Sequence, residues 1–391
     1  MGLFCLGLLG CGIQSTLAPV PNQNSKLQGT EKLGDLSEAE KLKTPVRKTA
    51  TLVATGDILM HNTQIASGQQ ADGSFRFDSF FAPVKSLIQY GDYASTNLEA
   101  AMAGGDSGYT GYPKFNSPDE VATTLKEAGY DLVVTSNNHI LDRGYSGAIR
   151  TMNVLRNAGL DFVGTYQSQE EKDDFLIKDL DGVRVGYLAY SYGTNGIPVP
   201  KEHPYFFNFL NQDTILNDVN QLRPKVDVLV LVLHWGVEYT LQPTSDQKKL
   251  AQIFLEAGVD VILGSHPHVI QPMEVIKIDN KDKFVIYSMG NFIGDQRGVE
   301  RNSGVILNLT FQKDVTGGQT VLKNVSYTPT YSHSYLDKGR LCFRVVDVKD
   351  AIRKVQEGKD PYLKRSDLAV LKQVLAQTQK QLGTPFNRGE G

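Results

Sequence analysis

The chain has 391 residues, 40% of them hydrophobic and 21% charged, with a formal net charge of −3. This is a globular composition, long enough to bury a large core. No basic excess is available to neutralise phosphates, so no nucleic-acid partner is expected, and after the first dozen positions no run of about 20 apolar residues could span a bilayer.

In chain order, residues 1–11 are apolar and rich in small residues. Leu8-Leu9-Gly10-Cys11 resembles the lipobox of bacterial lipoproteins, in which the signal peptide is cut before a lipid-bearing Cys. Residues 1–11 are therefore expected to be a signal segment, with Cys11 lipidated. Residues 12–48, with Pro19, Pro21, Asn22 and Asn24, read as a flexible tether. The protein is expected outside the cytoplasm, lipid-anchored to the bacterial cell membrane. With Cys5 and Cys11 in the processed segment, Cys342 has no internal disulfide partner and reads as a small core hydrophobe.

The folded body is expected to begin at Thr49. Residues 51–55 read as a strand ending in Gly56-Asp57, residues 77–90 as a helix and residues 93–98 as a strand. Ser117 is placed to cap a helix over 118–128, with Pro118 at its first position, and Gly129 to end it. Strands at 131–136, 183–190, 226–233 and 259–264 then alternate with helices at 145–158, 214–222 and 245–257. Such alternation with all-apolar strands predicts an α/β fold whose sheet is covered on both faces. After residue 270 the pattern turns strand-rich, at 273–278, 283–288, 304–311 and 320–327, and predicts antiparallel pairing. A domain spanning 49–345 is followed by a polar helical tail over 346–391.

Polar residues collect where these apolar strands end. Asp57, with His61 four residues on, follows the first; Asn97-Leu98-Glu99 ends the second. Asn137-Asn138-His139 with Asp142, His234-Trp235-Gly236, His266-Pro267-His268 and Ser288-Met289-Gly290-Asn291 follow later strands. Five of the seven histidines lie here. Ligands of α/β sheets bind at the carboxyl ends of strands.

Histidine nitrogens with carboxylate and amide oxygens suit divalent Mn, Fe or Zn. Two such ions about 3.5–4 Å apart clamp both the attacking and the leaving oxygen of a displacement. Asp57, Glu99, Asn138, His234, His266 and His268 offer six ligands, and His61 a seventh. Asp57 or Glu99 is the natural bridge. On extended backbone the rings of His266 and His268 point the same way. His139 is then left as general acid. Each piece alone has an ordinary reading. Asp57 suits a turn, Asn137-Asn138 a plain turn, Trp235 packing and Glu238 an ion pair. Their joint occurrence at successive strand ends is what the ordinary readings leave unexplained.

The segments Gly56-Asp57, Asn97-Leu98-Glu99, Asn137-Asn138-His139 with Asp142 and Gly144, His234 to Tyr239, Gly264 to Val269 and Ser288 to Phe292 together resemble the motif set of the bacterial capsule synthesis protein CapA family. That family supports poly-γ-glutamate capsule production. The resemblance implies a calcineurin-like metallophosphatase fold, a four-layer α/β/β/α sandwich of two packed sheets flanked by helices. It also implies capsule-synthesis membrane proteins as partners. Against the metallophosphatase pattern, three residues rather than one separate Asp57 from His61, Glu99 stands for the bridging Asp, and Ile140 follows His139, leaving Asp142 to orient the histidine. Asn97, Asn137, Arg143, Trp235, Glu238 and Asn291 are candidates for substrate contact.

Three functions fit this reading. One is a capsule-pathway protein that acts on or guides the anionic polymer with a dinuclear hydrolase-type site. Another is a metal-dependent phosphoesterase unrelated to capsule, with a phosphorylated substrate. The third is a non-catalytic scaffold that binds a polyanion. Lys114, Arg143 and Arg297 lie near the motifs, and a cation that meets carboxylates or phosphates serves all three.

Overall fold

A computed structural model describes residues 47–387. The expected signal segment, Cys11 and nearly all of the tether lie outside the described residues. The first strands are β1 (Arg47–Ile58), β2 (Tyr93–Leu98), β3 (Leu132–Val134), β4 (Asp161–Val163), β5 (Leu176–Leu180), β6 (Val183–Ser191) and β7 (Val228–His234). They are followed by β8 (Val261–Ser265), β9 (Met273–Ile278), β10 (Lys281–Ile286), β11 (Asn291–Ile293), β12 (Ser303–Asp314), β13 (Thr320–Asp337), β14 (Arg340–Asp347) and β15 (Phe386–Asn387). One sheet runs in the order β14-β13-β12-β1-β2-β3-β4, with β11 also on β1 and β15 on β13; the second runs β5-β6-β7-β8-β10-β9.

Strand β7 shows how sequence builds the layers. Successive side chains of a strand point to opposite faces. Val228, Val230 and Val232 enter the core between the two sheets, while Leu229, Leu231 and Leu233 enter a core shared with helices Gln212–Leu222 and Ser245–Glu256. Both faces are buried, so the run is apolar throughout. Each fully buried Val or Leu contributes roughly 1.5–3 kcal/mol. The first sheet repeats the scheme. Leu52, Tyr93 and Leu132 face the other sheet, whereas Val53, Ala94 and Val133 face helices Glu120–Ala128 and Gly144–Asn157. The layers are therefore helix, sheet, sheet, helix, the arrangement implied by the resemblance.

Several local readings change. The first strand starts at Arg47, two residues before Thr49, because Arg47 and Lys48 already pair with Asp314 and Lys313. Residues 77–90 do not form one helix. They break into turns at Asp78–Phe81, Ala82–Val84 and Lys85–Ile88, where Pro83 removes a backbone donor. Ser117 does not cap: the helix begins at Glu120, the Ser117 hydroxyl has no partner, and Asp119 turns its carboxylate to Arg150 at 2.6 and 2.7 Å. Strands β4, β5, β11, β14 and β15 lie outside the expected set. In the strand-rich half β10 runs parallel to β8 and β11 parallel to β1, so pairing there is mixed.

The residues read as a tail fold back. Helices Val348–Glu357 and Leu368–Leu382 bury Val348, Ala351, Leu371 and Val374 with Val346 of β14, and Leu382 reaches the core between the sheets. Arg344 pins this layer. It donates to Asp360 at 2.6 Å and to His333 Nδ1 at 3.2 Å, and its guanidinium lies 5.3 and 5.1 Å from the ring centroids of Tyr335 and Tyr362. Cys342, on β14, is half-buried and free rather than a core residue. Among the described residues no helix is long and apolar enough to cross a membrane.

Candidate metal centre

The carboxyl ends of β1, β2, β3, β7 and β8 meet at one place. Strict alternation carries Asn97 and Glu99 to the inner side of β2, in step with Tyr93 and Ser95. On β1 alternation alone would turn Asp57 outward. A bulge corrects it: the four β1 residues from Ala54 to Asp57 match the three β2 residues from Ser95 to Asn97. Ala54 and Asp57 then share a face, and Ile58 joins the outer core. On β7, His234 continues the inward series of Val228, Val230 and Val232.

The segment from Tyr287 to Asn291 crosses the ends of both sheets and needs bare backbone beneath it. A Cβ on Gly56 would lie 1.9 Å from the Gly290 carbonyl, and one on Gly264 would lie 1.9 Å from that of Tyr287. The Asp57 N–H donates to Gly290 O at 2.9 Å, and the Met289 N–H to Gly264 O at 3.1 Å.

Asp57, Glu99, His234, His266 and His268 are all buried there. Their ligand atoms form two groups, Asp57–Glu99–His234 and Glu99–His266–His268, each with all atoms within 4.8 Å of one another. Glu99 belongs to both. Its Oε1 lies 3.6 Å from His234 Nε2 and 3.6 Å from His268 Nε2, yet has no hydrogen-bond partner, and neither has His266 Nδ1. Two orphaned lone pairs in a buried cluster of carboxylates and imidazoles fit a divalent cation. Asn138 Oδ1 sits 2.8 Å from His234 Nε2, at the edge of the same cluster.

The titration of the imidazoles follows from burial and neighbours. Burial, with the charge of His268, holds His266 down to about 4. Burial and the other histidines hold His234 far below its ordinary range. Both keep the neutral lone pair that a metal needs. Burial would lower His268 as well, but Glu99 and Asp57 outweigh it and carry it up to about 9. The His268 Nδ1 proton goes to Asn291 Oδ1 at 2.9 Å rather than to Asp57 Oδ2 at 3.4 Å. Burial pushes Glu99 above the usual carboxylate range.

His266 and His268 do not sit on extended backbone. Their φ angles are +93° and +56°, a region that non-glycine residues rarely occupy. The left-handed turn, not strand alternation, brings both rings to the centre, with centroids 5.9 Å apart. His61 falls outside both ligand groups. Three buried residues, Ile58, Leu59 and Met60, separate it from Asp57, and it becomes the N-cap of helix Asn62–Gly68, with Nδ1 accepting from the Asp295 N–H at 3.2 Å.

His139 keeps its expected partner. Its Nδ1 lies 2.7 Å from Asp142 Oδ2, which also accepts the Phe115 N–H at 2.7 Å. Phe115 packs edge-on against the imidazole at 4.7 Å. Burial opposes protonation of His139, but the Asp142 hydrogen bond and nearby carboxylates raise it above its ordinary value.

Most of the candidates for substrate contact turn out to build the site from behind. Asn97 donates to Asp57 Oδ1 at 2.7 Å, and Asn137 donates to Asn97 Oδ1 at 3.1 Å and to Leu98 O at 2.8 Å. Asn291 holds His268 and donates to Gln296 and to the Arg301 carbonyl. Arg143 donates to Thr110, Lys114 O and Phe115 O, which braces the loop against His139. Trp235 is 2% exposed, stacks on Tyr287 and donates its indole N–H to Tyr287 O at 3.0 Å, so it packs. Glu238 is exposed at the rim.

Sequence reasoning missed four residues around the centre. Tyr192 lies 4.5 Å from the His266 ring. Asn195 accepts from Asn138 at 3.0 Å, and Ser265 Oγ lies 2.9 Å from His234 Nδ1. Tyr239 stands 6.1 Å from the His268 ring. Ser265 and Tyr239 stood within quoted motifs. Tyr192 and Asn195 follow β6, a strand end that carries no histidine.

The chain is similar in sequence to known proteins. Capsule biosynthesis protein CapA of Bacillus anthracis is 29% identical over 306 residues, covering 74% of this chain and 71% of that protein. PGA biosynthesis protein CapA of Bacillus subtilis (strain 168) is 26% identical over 286 residues, covering 72% and 73%. Among solved structures, calcineurin-like phosphoesterase YfkN from Bacillus subtilis aligns with a TM-score of 0.41 at 15% identity, over 86% of this chain and 99% of that one. The profile described as Bacterial capsule synthesis protein PGA_cap matches residues 51–296, a span that contains every strand-end motif of the centre, and this chain belongs to that family.

Proposed function

We propose that the protein serves poly-γ-glutamate or capsule biosynthesis by hydrolase-type chemistry on an anionic polymer at a dinuclear metal centre. The observation that carries this reading is the pair of ligand groups that share Glu99, with Glu99 Oε1 and His266 Nδ1 unpartnered. The names of the Bacillus relatives, capsule and PGA biosynthesis proteins, support the pathway. Asp57, Glu99, His234, His266 and His268 hold the ions, with Asn138 beside His234. Mn, Fe or Zn suits that donor set. When bound, two divalent ions supply Lewis-acid polarisation of the scissile group and a more acidic water.

The chain's own residues do the rest. Asn137 and Asn97 form a relay that fixes the Asp57 carboxylate, and Asn291 fixes the His268 ring. Asp142 fixes the His139 ring through Nδ1, which leaves Nε2 to give its proton to a leaving group. An anchor through Cys11 places this chemistry outside the membrane, beside capsule-synthesis membrane proteins.

The test is metal content of the purified protein beside His266→Ala and Glu99→Ala, followed by manganese-supplemented assays on γ-glutamyl and phosphodiester substrates. About two ions per chain are expected, lost together with activity in the variants. Turnover of the phosphodiester alone would move the protein to a phosphoesterase unrelated to capsule. No bound metal and no turnover with any divalent ion would leave only the scaffold.

A further inference from the structure

One cation beside the centre is built differently from its neighbours. Arg301 places its guanidinium 3.6 Å from the centroid of the Tyr239 ring. Among the described residues no hydrogen bond or ion pair engages that guanidinium. Arg143, by contrast, is fully committed to the 110–115 loop, and neither Lys114 nor Arg297 lies on an aromatic ring.

The platform is tied to the metal ligands twice. Tyr239 adopts a φ of +62°, and its N–H donates 2.7 Å to the carbonyl of Pro267, the residue between His266 and His268. Left-handed backbone at a tyrosine is strained and persists where the surroundings impose it. The Arg301 carbonyl accepts from Asn291 Nδ2 at 2.7 Å, and Asn291 Oδ1 lies 2.9 Å from His268 Nδ1. The backbones of Tyr239 and Arg301 are thus held by Pro267, between the two histidines, and by Asn291, the partner of His268. An arginine seated on an aromatic face loses rotamer freedom in advance and, with no hydrogen-bond partner in the protein, keeps its N–H edge available. That edge is the planar fork that pairs with a carboxylate through two parallel hydrogen bonds.

We propose that Arg301, held on Tyr239, is the receptor for a carboxylate of the substrate polymer beside the metal centre. This rests on the polymer reading of the site and names the residue that recognises the polymer.

The test uses the full-length protein loaded with manganese. Binding of fluorescein-labelled poly-γ-glutamate is followed by anisotropy, with inorganic phosphate as competitor and metal content measured in parallel. Arg301→Ala is expected to weaken polymer binding roughly 10- to 100-fold, as loss of a charge-assisted pair does. Arg301→Lys keeps the charge but loses the fork and recovers only part of the affinity. Tyr239→Ala behaves like Arg301→Ala, while Tyr239→Phe keeps the platform and the affinity. All four keep their metal. Wild-type affinity in Arg301→Ala overturns the assignment, as does failure of the wild-type protein to bind the polymer. A change confined to phosphate competition also overturns it and makes the arm a phosphate site. His266→Ala tests the metal reading separately: if its metal survives, that reading fails and the Arg301 comparison still stands.

Discussion

The two ends of the paired sheets both hold charge largely removed from solvent, and they treat it in opposite ways. Before β8, Asp260 accepts from Lys283 and Arg223 and from the Leu229 N–H at 2.9 Å. Before β7, Asp227 accepts from Lys313 at 2.7 Å and from the Arg184 N–H at 2.7 Å. A cavity of about 330 Å³ opens among these groups, but each of these two carboxylates already has a cation from the protein. At the carboxyl ends of the strands Asp57 and Glu99 are more deeply buried and face imidazoles held neutral or shared, with Glu99 Oε1 unpartnered. An imbalance of buried charge, not a cavity, marks where the chemistry is, because an uncompensated charge persists in a fold only where something else compensates it.

The sharpest way to break this comparison is to remove one carboxylate from each end. Asp260→Ala strands Lys283 and Arg223, and should cost about 3–5 kcal/mol of stability in urea unfolding with metal content unchanged. A loss below about 1 kcal/mol would mean the pairing is no more than a surface one. Next in size is Asp142→Asn, which should lower kcat by roughly 10²-fold or more while the metals stay bound. An unchanged kcat would remove His139 from proton transfer.

Glu99→Gln should act with the opposite sign to Asp260→Ala. In chelator-treated protein it should raise stability by about 1 kcal/mol, since the His268 cation is shared between Asp57 and Glu99 and leaves one buried negative charge in excess. It should also abolish the gain in Tm that added divalent ions give the wild type. A Glu99→Gln protein less stable than wild type without metal would show that the charge is balanced within the protein.

The smallest effect is expected at His333, on β13 opposite Arg344. Burial and the Arg344 charge hold it down to about 4, so the native state keeps it neutral while the unfolded chain takes up a proton near its ordinary value. Its contribution is complete above about pH 6.5 and is lost as pH falls toward 4. His333→Gln should flatten the acid limb of stability in that window, and superimposable acid limbs would show that the histidine is solvated.

Much of the centre is legible in the chain because alternation is local. His234 follows three inward valines, and Glu99 follows Tyr93, Ser95 and Asn97 at steps of two, so their facing can be read from the strand itself. Asp57 cannot be read that way, since its facing depends on a bulge defined only against β2. The turn that places His266 and His268 has positive φ at both histidines and looks in sequence like an extended His-Pro-His. Short or half-exposed strands escaped for a related reason: β4 has three residues, of which only Val163 is buried, and offers too little pattern to recognise.

The sequence by itself determined which strands are covered on both faces and which polar residues stand at their ends, because both depend on residue type and spacing along one strand at a time; the two-sheet layering came with the family resemblance. Tertiary structure decided which polar residues face the centre and which brace it, because those roles depend on partners far away in the chain. It set Asn97, Asn137 and Asn291 behind the ligands, committed Arg143 to a loop, buried Trp235, and laid Arg301 across Tyr239, 62 residues apart in sequence. It also turned a polar C-terminal stretch into a packed layer, since the apolar face of those helices becomes recognisable only when β13 and β14 are there to receive it.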